Sequence, residues 1–195
     1  MFSKKIFLAS TSPRRRELFG TLGIPFEVIP PRFEEAPTDL PAAAEALYFS
    51  EQKARSVEID CPNALIIASD TLIDIEGMKL GKPRDAEEAV EMLSRLSGKS
   101  HTLYTAVVLL DTESGVLKKQ LERVTVTFWP LTRKVIEEYV ATGESLGKAG
   151  AYAIQEKGQA LISKVEGDLQ AVVGLWKSKP ANFCQWQKAN GAVVQ

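Results

Sequence analysis

Histidine occurs once, at His101, and cysteine twice, at Cys61 and Cys184. These scarcities exclude several chemistries. A lone histidine without the spacing of a nucleophile triad or of a zinc site supports neither acyl transfer nor zinc hydrolysis. The two cysteines lie far apart and form no Cys-x-x-Cys pair, so they read as free thiols in a reducing compartment. Charge of one sign is also missing. Lys and Arg total 24 and Asp and Glu total 25, for a formal net charge of -1. Without a global basic field, non-specific nucleic-acid binding is not expected, and any anion site must be local. Long apolar runs are absent too. Ile6 to Ala9 is too short for a signal-peptide core and is followed by Pro13-Arg14-Arg15-Arg16. No segment reaches the length of a membrane span. The cytoplasm is the expected location. Neither the Gly-x-x-x-x-Gly-Lys-Ser/Thr phosphate loop nor the Gly-x-Gly-x-x-Gly fingerprint occurs. There is no internal repeat, low-complexity tract or separating linker.

What is present suits one α/β domain, or two lobes sharing one cleft: 195 residues, 45% hydrophobic and 25% charged. A short strand is expected over Lys5–Ala9. A helix over Arg14–Leu22 follows, with Ser12 as N-cap, Pro13 in the first turn and Gly23 as its stop. Phe26–Ile29 reads as a second strand. Pro30, Pro31, Pro37 and Pro41 bound a loop carrying Glu34 and Glu35. Ala42–Val57 is helical in pattern. Ala64–Ala68 is an apolar strand ending at Ser69-Asp70-Thr71, with Leu72–Ile75 a possible continuation. Asp85 caps a helix whose apolar residues recur at helical spacing, and Gly98 ends it. Ser100–Leu110 and Leu117–Phe128 are long strands joined near Ser114-Gly115. Leu131–Thr142 is a helix stopped by Gly143. Loops and a strand over Ala160–Val165 follow.

Three stretches are candidates for chemistry. Ser10-Thr11-Ser12-Pro13-Arg14-Arg15-Arg16 is a strand-to-helix turn with hydroxyls and three arginines. A helix N-terminus offers free N–H groups to a phosphate, and arginine adds bidentate donors. Read blandly, it is a solvated basic turn. Cations at a helix N-terminus are disfavoured unless an anion joins them, which favours the phosphate reading. Asp70, at the end of an apolar strand, is placed to bind Mg²⁺ or activate water, or simply to begin a turn. Glu34, Glu35 and Lys82 are its possible company, each alone an ordinary surface residue. Lys148-Ala149-Gly150-Ala151-Tyr152-Ala153-Ile154-Gln155 lets backbone approach a ligand, and Gln155 could read a base edge; by composition alone it is a tight turn. His101 is expected in a strand, and Trp129, Trp176 and Trp186 in packing or surface roles.

Four stretches in order resemble the Maf family of nucleotide pyrophosphatases: Leu8-Ala9-Ser10-Thr11-Ser12-Pro13-Arg14-Arg15, Ser69-Asp70-Thr71 with Gly81-Lys82-Pro83, Gly143-Glu144 through Gln155, and Gly167 through Leu175. The resemblance runs from about Lys5 to Leu175. It implies an α/β fold with an elongated mixed sheet flanked by helices and two lobes around a cleft, like that of inosine triphosphate pyrophosphatase. It implies a single domain over 1–195, a homodimer, a nucleotide substrate and a divalent metal, Mg²⁺ or Mn²⁺. On the family's pattern Asp70, Glu35 and Lys82 are catalytic, with Asp70 and Glu35 holding the metal. Ser10, Arg14, Arg15, Lys53, Thr71 and Gln155 then bind substrate. Asp70-Thr71 with Ala151-Tyr152-Ala153-Ile154-Gln155 is similar to the branch acting on dTTP and UTP. The sister branch, acting on 7-methyl-GTP, usually has Gln after the Asp. The rival readings are a 7-methyl-GTP or other modified-nucleotide pyrophosphatase, and a non-catalytic nucleotide-binding regulator of division. The chain departs from the pattern at Trp176, where the family has proline, and at Lys177-Ser178-Lys179-Pro180. The tail over 176–195 is therefore expected to dock loosely.

Overall fold

The computed structural model describes residues 4–167. Trp176, Cys184, Trp186, the tail and the part of the fourth motif beyond Gly167 lie outside the described residues. These hold four α-helices and seven strands in one mixed sheet. The chain divides into two compact units, residues 4–70 with 105–122 and residues 71–104 with 123–167.

In the first unit, β1 (Lys5–Ala9) pairs in parallel with both β2 (Glu27–Ile29) and the start of β3 (Ala64–Ile75). Interior parallel strands are covered on both faces, which explains their unbroken apolar runs. Ile6 and Leu8 join Leu65, Ile67 and Phe19 in one core cluster, while Phe7 and Ala9 join Ile66, Ala68, Ala54 and Val57 in another. Phe19 comes from α1 (Pro13–Gly20), with Pro13 at its start and Ser12 as cap, as the sequence predicts. Ala54 comes from α2 (Ala42–Arg55). The buried stripe of α2 runs Ala42, Glu45, Ala46, Phe49, Ser50, Lys53, Ala54, at helical spacing. A lysine therefore sits at a core-facing position.

In the second unit, β4 (Met78–Leu80) runs antiparallel to the end of β3. It was not anticipated, because three residues after a Glu76-Gly77 turn leave too little pattern. Asp85 caps α3 (Ala86–Leu96) through its Oδ1, which accepts the Glu88 N–H at 2.8 Å. Thr132 caps α4 (Arg133–Ala141). The long strands β5 (Ser100–Asp111) and β6 (Leu117–Phe128) contribute residues to both units. β7 (Ile162–Glu166) pairs antiparallel with β6. The sheet order is β2-β1-β3-β5-β6-β7 with β4 on β3.

Several element ends lie one or two residues from expectation, and in two strands the neighbouring stretch of chain sets the bounds. β3 runs through Ser69-Asp70-Thr71 and takes in the possible continuation over Leu72–Ile75. What ends before Asp70 is its neighbour: β1 pairs with β3 only as far as Ala9 opposite Ala68. The expected strand over Ala160–Val165 begins at Ile162, because a 3-10 turn occupies Lys157–Leu161. Gly158 allows that turn, since a Cβ there would lie 2.4 Å from the carbonyl oxygen of Ala153.

Backbone on the far side cannot yield as a flexible side chain can. Gly158→Ala should therefore cost about 1–3 kcal/mol in urea unfolding. Gly20→Ala, in α1 with nothing within 4 Å of the new methyl, should be neutral or gain up to about 1 kcal/mol. Equal stabilities for the two variants would show that the close approach at Gly158 carries no weight.

Candidate active site

Beyond Ala68 the flank of β3 is no longer covered by β1, whose chain turns away into α1. Asp70 lies two residues past that point. Side chains alternate along a strand, so Asp70 shares the face of Ile66 and Ala68, against which Ala54 of α2 packs. Lys53 precedes Ala54 on the same helix. Its Nζ lies 2.5 Å from Asp70 Oδ1 and 2.5 Å from Glu35 Oε1. Lys53 and Asp70 are buried, and the Glu35 side chain is 37% exposed.

Glu35 sits on an irregular loop, yet α2 holds that loop at several points. The Thr38 N–H and hydroxyl both donate to Glu45 Oε1, at 3.2 and 2.9 Å, and the Arg32 N–H donates to Ser56 Oγ at 3.0 Å. The Phe33 ring packs against Tyr48 and Phe49. Four prolines between Pro30 and Pro41 lower the entropy such a loop must lose.

The turn between β1 and α1 forms the other side. Buried Ser10 accepts the Ser12 N–H at 3.1 Å, and Ser12 Oγ accepts the Arg15 N–H at 3.4 Å. Arg14 and Arg15 are half-buried and Arg16 is exposed. Burial lowers the Arg15 guanidinium from its ordinary value, opposed by attraction to Asp70 and Glu35, while Arg14 pushes it lower. Arg15, Lys53, Asp70 and Glu35 thus form one electrostatic group. The buried Ser69 hydroxyl has no hydrogen-bond partner among the described residues.

The second unit holds the other expected site residues. Thr71 follows Asp70 on β3 and is half-buried. Lys82 is exposed just after β4, and the neighbouring Gly81 carbonyl accepts the Gly150 N–H at 2.9 Å. That bond joins the Lys82 turn to the loop leading to Gln155. Gly150 and Ala151 both have positive φ, 65° and 63°. A Cβ at Gly150 would fall 2.6 Å from Ile73 Cδ1. Tyr152 is buried against Phe128 and His101, and its hydroxyl meets His101 Nε2 at 2.7 Å. Burial pulls His101 down to about 4, so the only histidine is a neutral core residue of β5. Gln155 itself is exposed.

Sequence reasoning did not single out the group that shapes this loop. The Tyr139 hydroxyl accepts the Ala153 N–H at 3.2 Å and donates to Glu144 Oε1 at 3.0 Å. The Gly158 N–H donates to the same oxygen at 3.0 Å and the Lys157 N–H to Oε2 at 3.1 Å. The only sequence signal was an acid between Gly143 and Gly147, near a buried helix-end tyrosine.

A family model described as Maf-like protein matches residues 5–184. The chain belongs to that family. A dTTP/UTP pyrophosphatase of Moorella thermoacetica is 46% identical over 172 residues, covering 88% of this chain and 89% of that protein. A dTTP/UTP pyrophosphatase of Carboxydothermus hydrogenoformans is 45% identical, with coverage of 88% and 92%, and one of Bacillus velezensis 44% identical, with coverage of 89% and 91%. The solved structure of the Staphylococcus aureus Ham1 protein matches with a TM-score of 0.46 and 18% identity, over 64% of this chain and 72% of that chain. No described helix is long and apolar enough to cross a membrane.

The donor set suits a hard divalent cation. Among the described residues no three His, Cys, Asp or Glu side chains converge as a metal site. The two carboxylates of Asp70 and Glu35, however, converge on one cationic point, the Lys53 ammonium. Mg²⁺ is commonly held by one or two carboxylates and completes its shell with phosphate oxygens and water.

Burial raises the Asp70 carboxyl above its ordinary value, and the opposing pull of Lys53 and Arg15 does not cancel it. A carboxyl raised on folding binds its proton more tightly when folded. Its stabilising contribution is present at low pH and is lost as pH rises through the folded value. Ionising Asp70 is therefore costlier in the metal-free fold than in the unfolded chain. In chelator, the urea midpoint of the wild type should fall relative to that of Asp70→Asn as pH rises through the folded value of Asp70. A gap that moves in favour of the wild type as pH rises would mean that the Lys53 pair outweighs desolvation.

Proposed function

We propose that the chain hydrolyses nucleoside triphosphates, dTTP and UTP foremost, to the monophosphate and pyrophosphate, as one functional domain over 1–195. The observation that carries this reading is the Lys53 ammonium held 2.5 Å from both Asp70 and Glu35, with Arg15 in the same electrostatic group. Buried, mutually compensated charge of this kind is typical of sites built to meet a changing charge. The names of the relatives, dTTP/UTP pyrophosphatases at 44–46% identity, support it.

In this reading the N-terminus of α1, with Ser10, Arg14 and Arg15, receives phosphate oxygens. Lys53 and Lys82 add point charges that offset the negative charge building at the α-phosphorus and on the leaving pyrophosphate. Asp70 and Glu35 would hold a divalent ion, Mg²⁺ or Mn²⁺, which when bound supplies Lewis acidity at phosphate oxygens. Burial shifts Asp70 toward its neutral form, which suits it to accept the proton of the attacking water. Gln155, with Thr71, reads the base: a pyrimidine offers a carbonyl and a ring N–H, and one amide can satisfy both. Homodimers and a cytoplasmic location belong to the same proposal. The near-zero net charge supports a small-molecule substrate over nucleic acid.

The test is pyrophosphate release over a panel of nucleotides. Activity should vanish in EDTA and return with Mg²⁺ or Mn²⁺. dTTP and UTP should exceed 7-methyl-GTP in kcat/KM. An unpaired polar group costs roughly 1–3 kcal/mol, so Gln155→Ala should narrow that gap by about ten- to hundredfold. Preference for 7-methyl-GTP would overturn the choice of base, and full activity in chelator would overturn the metal. Nucleotide binding without turnover would favour the regulator.

A further inference from the structure

We infer that Glu144, acting with Tyr139, is the positioning residue for base discrimination: its carboxylate pinches residues 153–158 into a closed loop that presents Gln155. The proposal rests on the base-reading role of Gln155. It goes further by naming the group that fixes where the Gln155 amide stands.

The loop is tied at both ends to one side chain. At its start the Ala153 N–H donates to the Tyr139 hydroxyl, which donates to Glu144 Oε1, at 3.2 and 3.0 Å. At its end the N–H groups of Lys157 and Gly158 donate to Oε2 and Oε1, at 3.1 and 3.0 Å. The ends also touch, since a Cβ at Gly158 would stand 2.4 Å from the Ala153 carbonyl oxygen. Gln155 lies at the exposed turn between them. The preceding residues, Ala151 to Ile154, are buried, so the loop is anchored on its inner side by packing and on its outer side by the carboxylate.

This arrangement matters because amide recognition is directional. A hydrogen bond weakens steeply with misalignment, and displacement of a reading group by about 1 Å can cost about a hundredfold. Neutral backbone donors meeting an ionised acceptor make the stronger kind of hydrogen bond. Glutamine in place of Glu144 is nearly isosteric, but its NH₂ would face the Lys157 or Gly158 N–H, donor against donor. The loop then opens on one side while the core below it stays intact.

Glu144→Gln, Tyr139→Phe, Gln155→Ala and the double variant Glu144→Gln/Gln155→Ala test the role. The readouts are kcat and KM for dTTP and 7-methyl-GTP, with hydrogen exchange at Ala153, Lys157 and Gly158. Glu144→Gln should speed exchange at Lys157 and Gly158 and lower the dTTP preference by about tenfold. The change should fall mainly in KM for dTTP. The double variant should lose no more preference than Gln155→Ala alone. Tyr139→Phe should speed exchange at Ala153 and shift the preference the same way by less. An unchanged preference in Glu144→Gln beside a changed one in Gln155→Ala would overturn the positioning role alone, as would losses that multiply in the double variant. An unchanged preference in Gln155→Ala would remove the base-reading role and the proposal with it.

Discussion

A lysine ammonium buried at a core-facing position of α2 is the constraint on which the first unit turns. A helix stripe of Ala46, Phe49, Ser50 and Ala54 would bury without difficulty, but Lys53 within it brings a charge out of water. Such a charge is tolerated only when paired and hydrogen-bonded. The first unit supplies Asp70 from β3 and Glu35 from the proline-bounded loop, each at 2.5 Å. Three segments far apart in sequence are thereby fixed to one point. The loop carrying Glu35 has no regular structure of its own, so its contacts with α2 through Thr38, Arg32 and Phe33 are what keep that carboxylate in reach.

The second unit orders its site residues by other means. Apart from Glu144, its key contacts are neutral: His101 with Tyr152, backbone to backbone at Gly81 and Gly150, and Tyr139 with Ala153. Two consecutive residues with positive φ, one of them an alanine, mark backbone held in a sparsely populated conformation. The first unit concentrates charge and the second shapes backbone.

Legibility followed the range of the interactions. Local signals were plain: Ser12 and Asp85 cap the helices expected of them, β1 has the expected bounds, and β6 runs Leu117–Phe128 as the alternation predicts. The sequence leaves the end of β3 open between Ala68 and Ile75, because a strand's continuation past Asp70 depends on which neighbours pair with it, and β1 withdraws there for reasons of chain path. The grouping of Arg15, Lys53 and Asp70 was legible only through the family resemblance. Nothing in Ala46 to Ala54 says that its lysine points inward. Glu144 was quoted within a motif but given no role, since its importance comes from donors thirteen and fourteen residues on and from a tyrosine five residues back.

The charges of the first unit also bear on why a divalent ion belongs to the proposed chemistry. Arg14, Arg15 and Lys53 against Asp70 and Glu35 give three positive charges and two negative, a net of one. That is far less than a triphosphate chain carries. Two carboxylates beside a polyanion would repel it if nothing else were present, and removing them would seem the simpler design for a protein that only binds. Their retention at the centre of the cluster, with Asp70 held at a cost by desolvation, makes sense if a hard cation is bound along with the phosphates and a proton must be taken from water. The same burial that makes the metal-free site expensive makes each charge there act more strongly on a substrate that excludes water. In the proposed chemistry, stability given up at Asp70 and catalytic strength gained there are two readings of one desolvated carboxylate.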